Sequence, residues 1–196
     1  MKHIILTLFA AILFIGCSNS EKKEEVKPQN TEWHAIAPED IDGNIVQNMN
    51  DGMLLSAGVK DSMNTMAIGW GALGKLWKRP TLTVYVSGSR YTYEFMEKNE
   101  YFTVCRFDST YHDKVIYMGS HTGRDTDKVK CSGLTLKFTE QGHPYYDEAN
   151  LVIECRLLYK DELDVKQAPE DIAPMYNDAK PHTMYVGEIV NVLSKY

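Results

Sequence analysis

The sequence predicts a mainly β fold: a β-barrel with short helices set between its strands. Three observations predict it. Segments rich in β-branched and aromatic residues recur along the chain, at 53–59, 65–70, 81–87, 101–107, 134–138, 151–159 and 183–193. Two of them, TMAIGW and TLTVYVS, alternate in the way that half-buried antiparallel strands do. The helical candidates between them are short, and no repeat with a period of 20–50 residues is present.

In chain order, Asp42-Gly43 and Asp51-Gly52 are turn signals that precede the first strand, MLLSAGV at 53–59. The strand at 65–70 places Met66, Ile68 and Trp70 on one side. The strand at 81–87 places Leu82, Val84 and Val86 on one side, with Pro80 just before it, where a missing N–H is tolerated. A helix over 92–99 turns Phe95 and Met96 inward. After the strand at 101–107, a helix over 111–118 turns Val115, Ile116 and Met118 inward. Asp125 opens a short helix over 125–130, and Pro169 with its neighbouring acids opens another over 169–176. The strands at 151–159 and 183–193 are almost continuously apolar, which suits burial on both faces.

The first thirty residues read as an address and a tether. Residues 4–15, IILTLFAAILFI, are too short to span a bilayer, which takes ~20 residues, but suit the apolar core of an export signal. The run closes on Gly16-Cys17, which resembles a bacterial lipoprotein box, with Cys17 as the lipidated residue. Residues 18–31 hold one aliphatic residue among many charges and cannot bury enough apolar surface to order themselves. The expected division is a lipoprotein signal at 1–16, a lipidated tether at 17–31 and one domain at 32–196. That places the protein at the cell envelope, held to a membrane through its lipid.

Of 196 residues, 21 are Lys or Arg and 27 Asp or Glu, a net charge of −6, so nothing points to nucleic acid. With Cys17 set aside, Cys105, Cys131 and Cys155 match no zinc spacing. They read as unpaired thiols, with a Cys105–Cys155 bridge as the alternative. No Walker loop, dinucleotide fingerprint, HExxH or GxSxG elbow is present, and no carboxylate pair stands out. Chemistry on this chain would come from a bound cofactor.

Five stretches, in order and spacing, resemble the flavin reductase-like FMN-binding family, a split β-barrel. They are NTMAIGWGALGKLWKRP (64–80), SRYTYEFMEKN (89–99), YMGSHTGRDTDKVK (117–130), LVIECRLL (151–158) and PHTMYVGEIV (181–190). The resemblance covers roughly 45–194. It implies a homodimer with FMN at the subunit interface, and electrons passed from NAD(P)H or a redox protein through the flavin. It further implies that Ser87, Ser89, Arg90, Tyr91 and Thr92 take the phosphate, which needs charge-assisted donors. Asn64, Thr65, Met66 and Ala67 would run along the ring edge, Ser120, Gly123 and Lys128 would lie close to the flavin or its phosphate, and Trp70 would line the pocket. Trp77 reads as core. By the same resemblance His182 lies beside the flavin as the candidate catalytic residue, with a structural hydrogen bond as the alternative. Ser87-Gly88-Ser89 and His121 stand where relatives often carry further cationic residues. A split barrel that has lost flavin and serves as a non-redox binding module is therefore the competing expectation.

Overall fold

In the computed structural model, which describes residues 32–177 and 179–196, eight strands form one antiparallel sheet. The leader, Cys17 and the tether fall outside the described residues. The strands in chain order are β1 (His34–Ala35), β2 (Met53–Val59), β3 (Ser62–Ile68), β4 (Gly71–Leu76), β5 (Arg79–Ser87), β6 (Tyr101–Arg106), β9 (Leu151–Glu162) and β10 (His182–Ser194). A small hairpin of β7 (Leu136–Phe138) and β8 (Pro144–Tyr146) stands apart. Helices α1 (Ile45–Asp51), α2 (Tyr91–Met96), α3 (His112–Ser120) and α4 (Lys128–Ser132) fill the connections.

The strand order is β3-β2-β6-β9-β10-β5-β4, with β1 added on β10. Strands β3 and β4 follow each other in the chain yet end this order at opposite sides. The sheet therefore curls round to bring them together, and no ladder closes the seam: it is a split barrel.

Period-2 alternation sorts the side chains into two cores. Leu55, Val84, Val104, Ile153 and Tyr185 fill the barrel interior. Leu54, Cys105 and Val152, one register position away, face outward under α3 and the β7–β8 hairpin, against Val115, Met118 and Tyr146. This double cover explains why β2 up to Gly58 and the first half of β9 are buried without a break.

Several expectations need correction. The strand expected at 65–70 ends at Ile68, so Trp70 lies beyond the alternation and is 42% exposed. Trp77 is 64% exposed at the tip of the β4–β5 hairpin, not in the core. There Trp77 and Lys78 take φ values of 48° and 64°, the two left-handed positions of a two-residue hairpin turn. Ile116 faces solvent, because Val115 and Met118, three residues apart, already define the buried face of α3. Asp127, not Asp125, caps α4, accepting a hydrogen bond from Lys130 N at 3.2 Å. The helix expected at 169–176 shrinks to a 3-10 turn over Ala173–Tyr176.

The cysteines are free thiols among the described residues. Cys105 and Cys155 sit on neighbouring strands, but Cys155 faces the barrel interior and Cys105 the outer core, which rules out a bridge. Burial pushes the Cys105 thiol up to about 12 and Cys155 well above its usual range, so both are inert packing groups.

Candidate functional site

A cavity of about 340 Å³ opens beside the first half of β3. Four segments wall it: Asn64 and Met66 of β3, the turn from Ser89 to Thr92 into α2, the loop from Gly119 to Asp125 after α3, and Lys128 of α4. The walls depend on close packing. Asn64 is buried, and its Nδ2 donates to Thr92 Oγ1 at 2.8 Å, tying β3 to α2. With that oxygen occupied as an acceptor, the Thr92 hydroxyl keeps its own hydrogen to donate elsewhere. Gly123 lies so close that a Cβ there would stand 2.2 Å from Asn64 Oδ1, so only glycine lets the loop backbone enter.

The cavity is cationic. Lys128 is 4% exposed, and its Nζ donates to Met118 O and His121 O, both at 3.0 Å. No described carboxylate pairs with it, although Asp125 lines the same cavity. Burial, and then the nearby Arg90 charge, lower its pKa to about 8. Arg90 precedes α2, and its guanidinium makes no ion pair or side-chain hydrogen bond with a described residue. The third cation, Arg124, is already engaged: Nη2 meets Glu94 Oε1 at 2.6 Å, and the guanidinium lies 4.9 Å from the centre of the Tyr91 ring. Arg90 and Lys128 together thus present two positive charges that no described carboxylate pairs with.

Of the residues singled out in the sequence, Asn64, Met66, Ser89, Arg90, Tyr91, Thr92, Ser120, Gly123 and Lys128 all line this cavity. Thr65 does not: its hydroxyl points to the outer core, 2.7 Å from Ser56 Oγ and 2.8 Å from Tyr146 Oη. Ala67 packs behind Gly119 rather than into the opening. Both follow from the strand's alternation, since Asn64 and Met66 occupy the other face. Strand β3 ends the sheet order, so half of its backbone donors and acceptors point away from β2, and these remain the groups of Thr65 and Ala67 that can serve a ligand. Ser87 is a support, its hydroxyl 3.0 Å from Ser89 Oγ and 3.2 Å from Lys180 O.

Trp70 and His182 form a separate aromatic group beside the cavity. His182 is paired in register with Ser87, its ring 4.5 Å from that of Trp70 and 5.8 Å from that of Tyr176. Its Nδ1 is buried with no hydrogen-bond partner among the described residues, so the structural hydrogen bond offered as the alternative is not made through that atom to any of them. Burial, reinforced by Arg90, lowers the His182 pKa, which keeps the imidazole neutral near pH 7.

Arg124, Thr122, His121 and Asp125 line the cavity without having been singled out as contacts. They belong to the quoted stretch 117–130, but their inward course depends on Gly123, which the residue pattern does not reveal.

A family model described as "Flavin reductase like domain" matches residues 52–195. Among solved structures, flavoredoxin from Methanosarcina acetivorans is 29% identical with a TM-score of 0.57, over 72% of this chain and 66% of that one. Flavoredoxin of Desulfovibrio vulgaris is 26% identical with a TM-score of 0.57, over 72% and 67%. An FMN-binding protein from Thermus thermophilus shares the fold at 22% identity and a TM-score of 0.58, over 72% and 68%. The chain thus spans about two thirds of the length of these structures. No curated protein sequence matches it.

Proposed function

Because this chain belongs to the flavin reductase-like domain family, we propose that its cavity binds FMN and that the protein passes electrons from a reduced donor through that flavin. The observation that carries the proposal is the pair of unmatched cations. A phosphate monoester brings nearly two negative charges, and Arg90 and Lys128 reach one cavity without an ion pair to any described carboxylate. The residues present fit that group. Ser89, Thr92 and Thr122 add hydroxyl donors around it, and Gly123 leaves the room that a side chain would fill.

When bound, FMN supplies two-electron acceptance and release in one or two steps, a capacity no side chain has. The protein's part is binding and orientation. Arg90 and Lys128 neutralise the phosphate. The free edge of β3 offers backbone N–H and C=O groups to a planar heterocycle, and Met66 keeps water from that face. His182, neutral and with Nδ1 unpartnered, stands close enough to Arg90 to feel its charge and is the group placed to hold a proton at the cavity's margin.

The donor in this reading is NAD(P)H or a redox protein, and a second copy of the chain completes the site as a homodimer. A leader at 1–16, a lipid on Cys17 and a tether at 17–31 would hold it at the cell envelope. An absorption spectrum of the purified protein tests the central claim. Flavin bands near ~370 and ~450 nm, with FMN released on heating, are expected. A colourless protein that takes up no added FMN overturns it in favour of a non-redox binding module.

A further inference from the structure

We propose that the tip of the β4–β5 hairpin, residues 75–79, docks on an anionic lipid bilayer, with Trp77 in the headgroup layer and the flavin cavity facing the water. The proposal rests on the envelope anchoring proposed above, and adds to it a protein surface and an orientation.

The first observation is the turn itself. A two-residue hairpin turn with positive φ at both positions favours Asn-Gly, yet here it is Trp77-Lys78. The strained conformation thrusts an indole into solvent, 64% exposed and outside both core clusters. Trp is amphipathic and settles at the level of lipid headgroups, with its ring in the acyl boundary and its N–H toward water.

The second observation is charge. The chain is acidic overall, but no Asp or Glu stands between Asp61 and Glu94. Lys75 and Lys78 flank Trp77 and pair with no described residue. Arg79 is held at 2.5 Å by Glu188, and Glu39 lines the groove beside Lys75, so the tip itself presents two free ammonium groups around one indole. That combination suits a surface of anionic headgroups.

The third observation is where the chain leaves the barrel. Strand β1 pairs His34 with Ser194, the far end of β10, and the segment after it borders one groove with Leu73, Lys75 and Pro80. The polypeptide leading back to Cys17 therefore enters at the same end as the hairpin tip. Fifteen steps of chain separate Cys17 from Glu32, a reach of at most about 54 Å, so a lipid on Cys17 lets this end reach the bilayer. The cavity lies past the other end of β5, whose Ser87 is about 27 Å from Arg79 along the strand. Electron donors and acceptors would then arrive from the water phase rather than from within the membrane.

The test uses the full acylated chain on vesicles of phosphatidylcholine with brominated phosphatidylglycerol, which quenches indoles at the headgroup boundary. Brominated lipid should quench the tryptophan emission of the wild type at least twofold more than that of Trp77→Phe. Lys75→Glu combined with Lys78→Glu should remove the same component, as should replacing the anionic lipid by brominated phosphatidylcholine. Equal quenching of wild type and Trp77→Phe, with both floating with the vesicles, overturns the hairpin contact and leaves the anchor standing. A chain that does not float overturns both. Trp77 shielded from aqueous acrylamide without lipid, and unshielded on dilution, also overturns the proposal by placing the tip between two copies. Flavin absorbance in the same samples reports the function separately.

Discussion

Two of the charged side chains buried among the described residues, Glu154 and Lys128, are treated differently. Glu154, on β9, is 1% exposed, and its needs are met from within. Thr139 Oγ1 donates to it at 2.7 Å, Asn191 Nδ2 at 3.1 Å, and His143 Nδ1 lies 2.5 Å away with its ring stacked on Tyr101. Lys128, 4% exposed, has two backbone carbonyls, and the charge that shifts it is another cation, Arg90. A buried charge surrounded by its own donors stabilises one arrangement of the strands that carry them. One left beside a second cation in a cavity lowers the stability of the unliganded protein and is compensated when an anion enters. The difference separates a part built for folding from a part built for binding.

Glu154→Ala probes the first part and carries the largest expected effect. It leaves Thr139, His143 and Asn191 without their common acceptor in a dry site. Breaking a buried network of this type costs about 3–5 kcal/mol, read as a fall in the urea midpoint. FMN affinity per folded molecule should be unchanged, since none of these residues lines the cavity. A loss of flavin equal to the loss of stability would show that the two regions are one cooperative site.

Arg90→Ala probes the second part. Removing a charged hydrogen-bond partner of phosphate should weaken FMN binding by roughly 1.5–3 kcal/mol, measured by titration of the apoprotein. The urea midpoint should stay within about 0.5 kcal/mol of wild type, because the exposed guanidinium supports nothing in the fold. Unchanged affinity would move the phosphate away from α2.

The same contrast explains what could be read from the sequence. Alternation and β-branching located the long strands to within a few residues, because each buries a side-chain row against a neighbour. Strand β4 escaped: GALGKL has two glycines and little β propensity, and it is a strand because β5 offers it a ladder. Resemblance puts Trp70 in the pocket and hydrophobicity puts Trp77 in the core, but neither reports that Ile68 ends a strand or that Trp77 tops a two-residue turn. In the candidate site, resemblance brought Arg90, Gly123 and Lys128 to attention, but not the burial of Lys128, which depends on α3 and α4 folding over it. The Glu154 network was illegible for a plainer reason. Its members lie on different elements, 11 to 37 residues from Glu154, and no local pattern joins them.

The smallest expected effect is a pH dependence, and it sharpens the comparison because its two signs differ. In the unliganded fold Lys128 loses its proton near pH 8, whereas the unfolded chain holds it to about 10.5. Between these values the unfolded chain binds more protons, so this residue's contribution to stability rises as pH increases from 8 to 10.5. Phosphate binding needs the ammonium, so FMN affinity should fall over the same rise, by roughly fivefold between pH 7 and 9 and tenfold in all if the ion pair contributes about 1.4 kcal/mol. Lys128→Met should remove both trends together while leaving the flat contribution of Arg90. An affinity that stays level across pH 8 in the wild type would mean that Lys128 serves only to hold the 118–121 backbone, and that the anion rests on Arg90 alone.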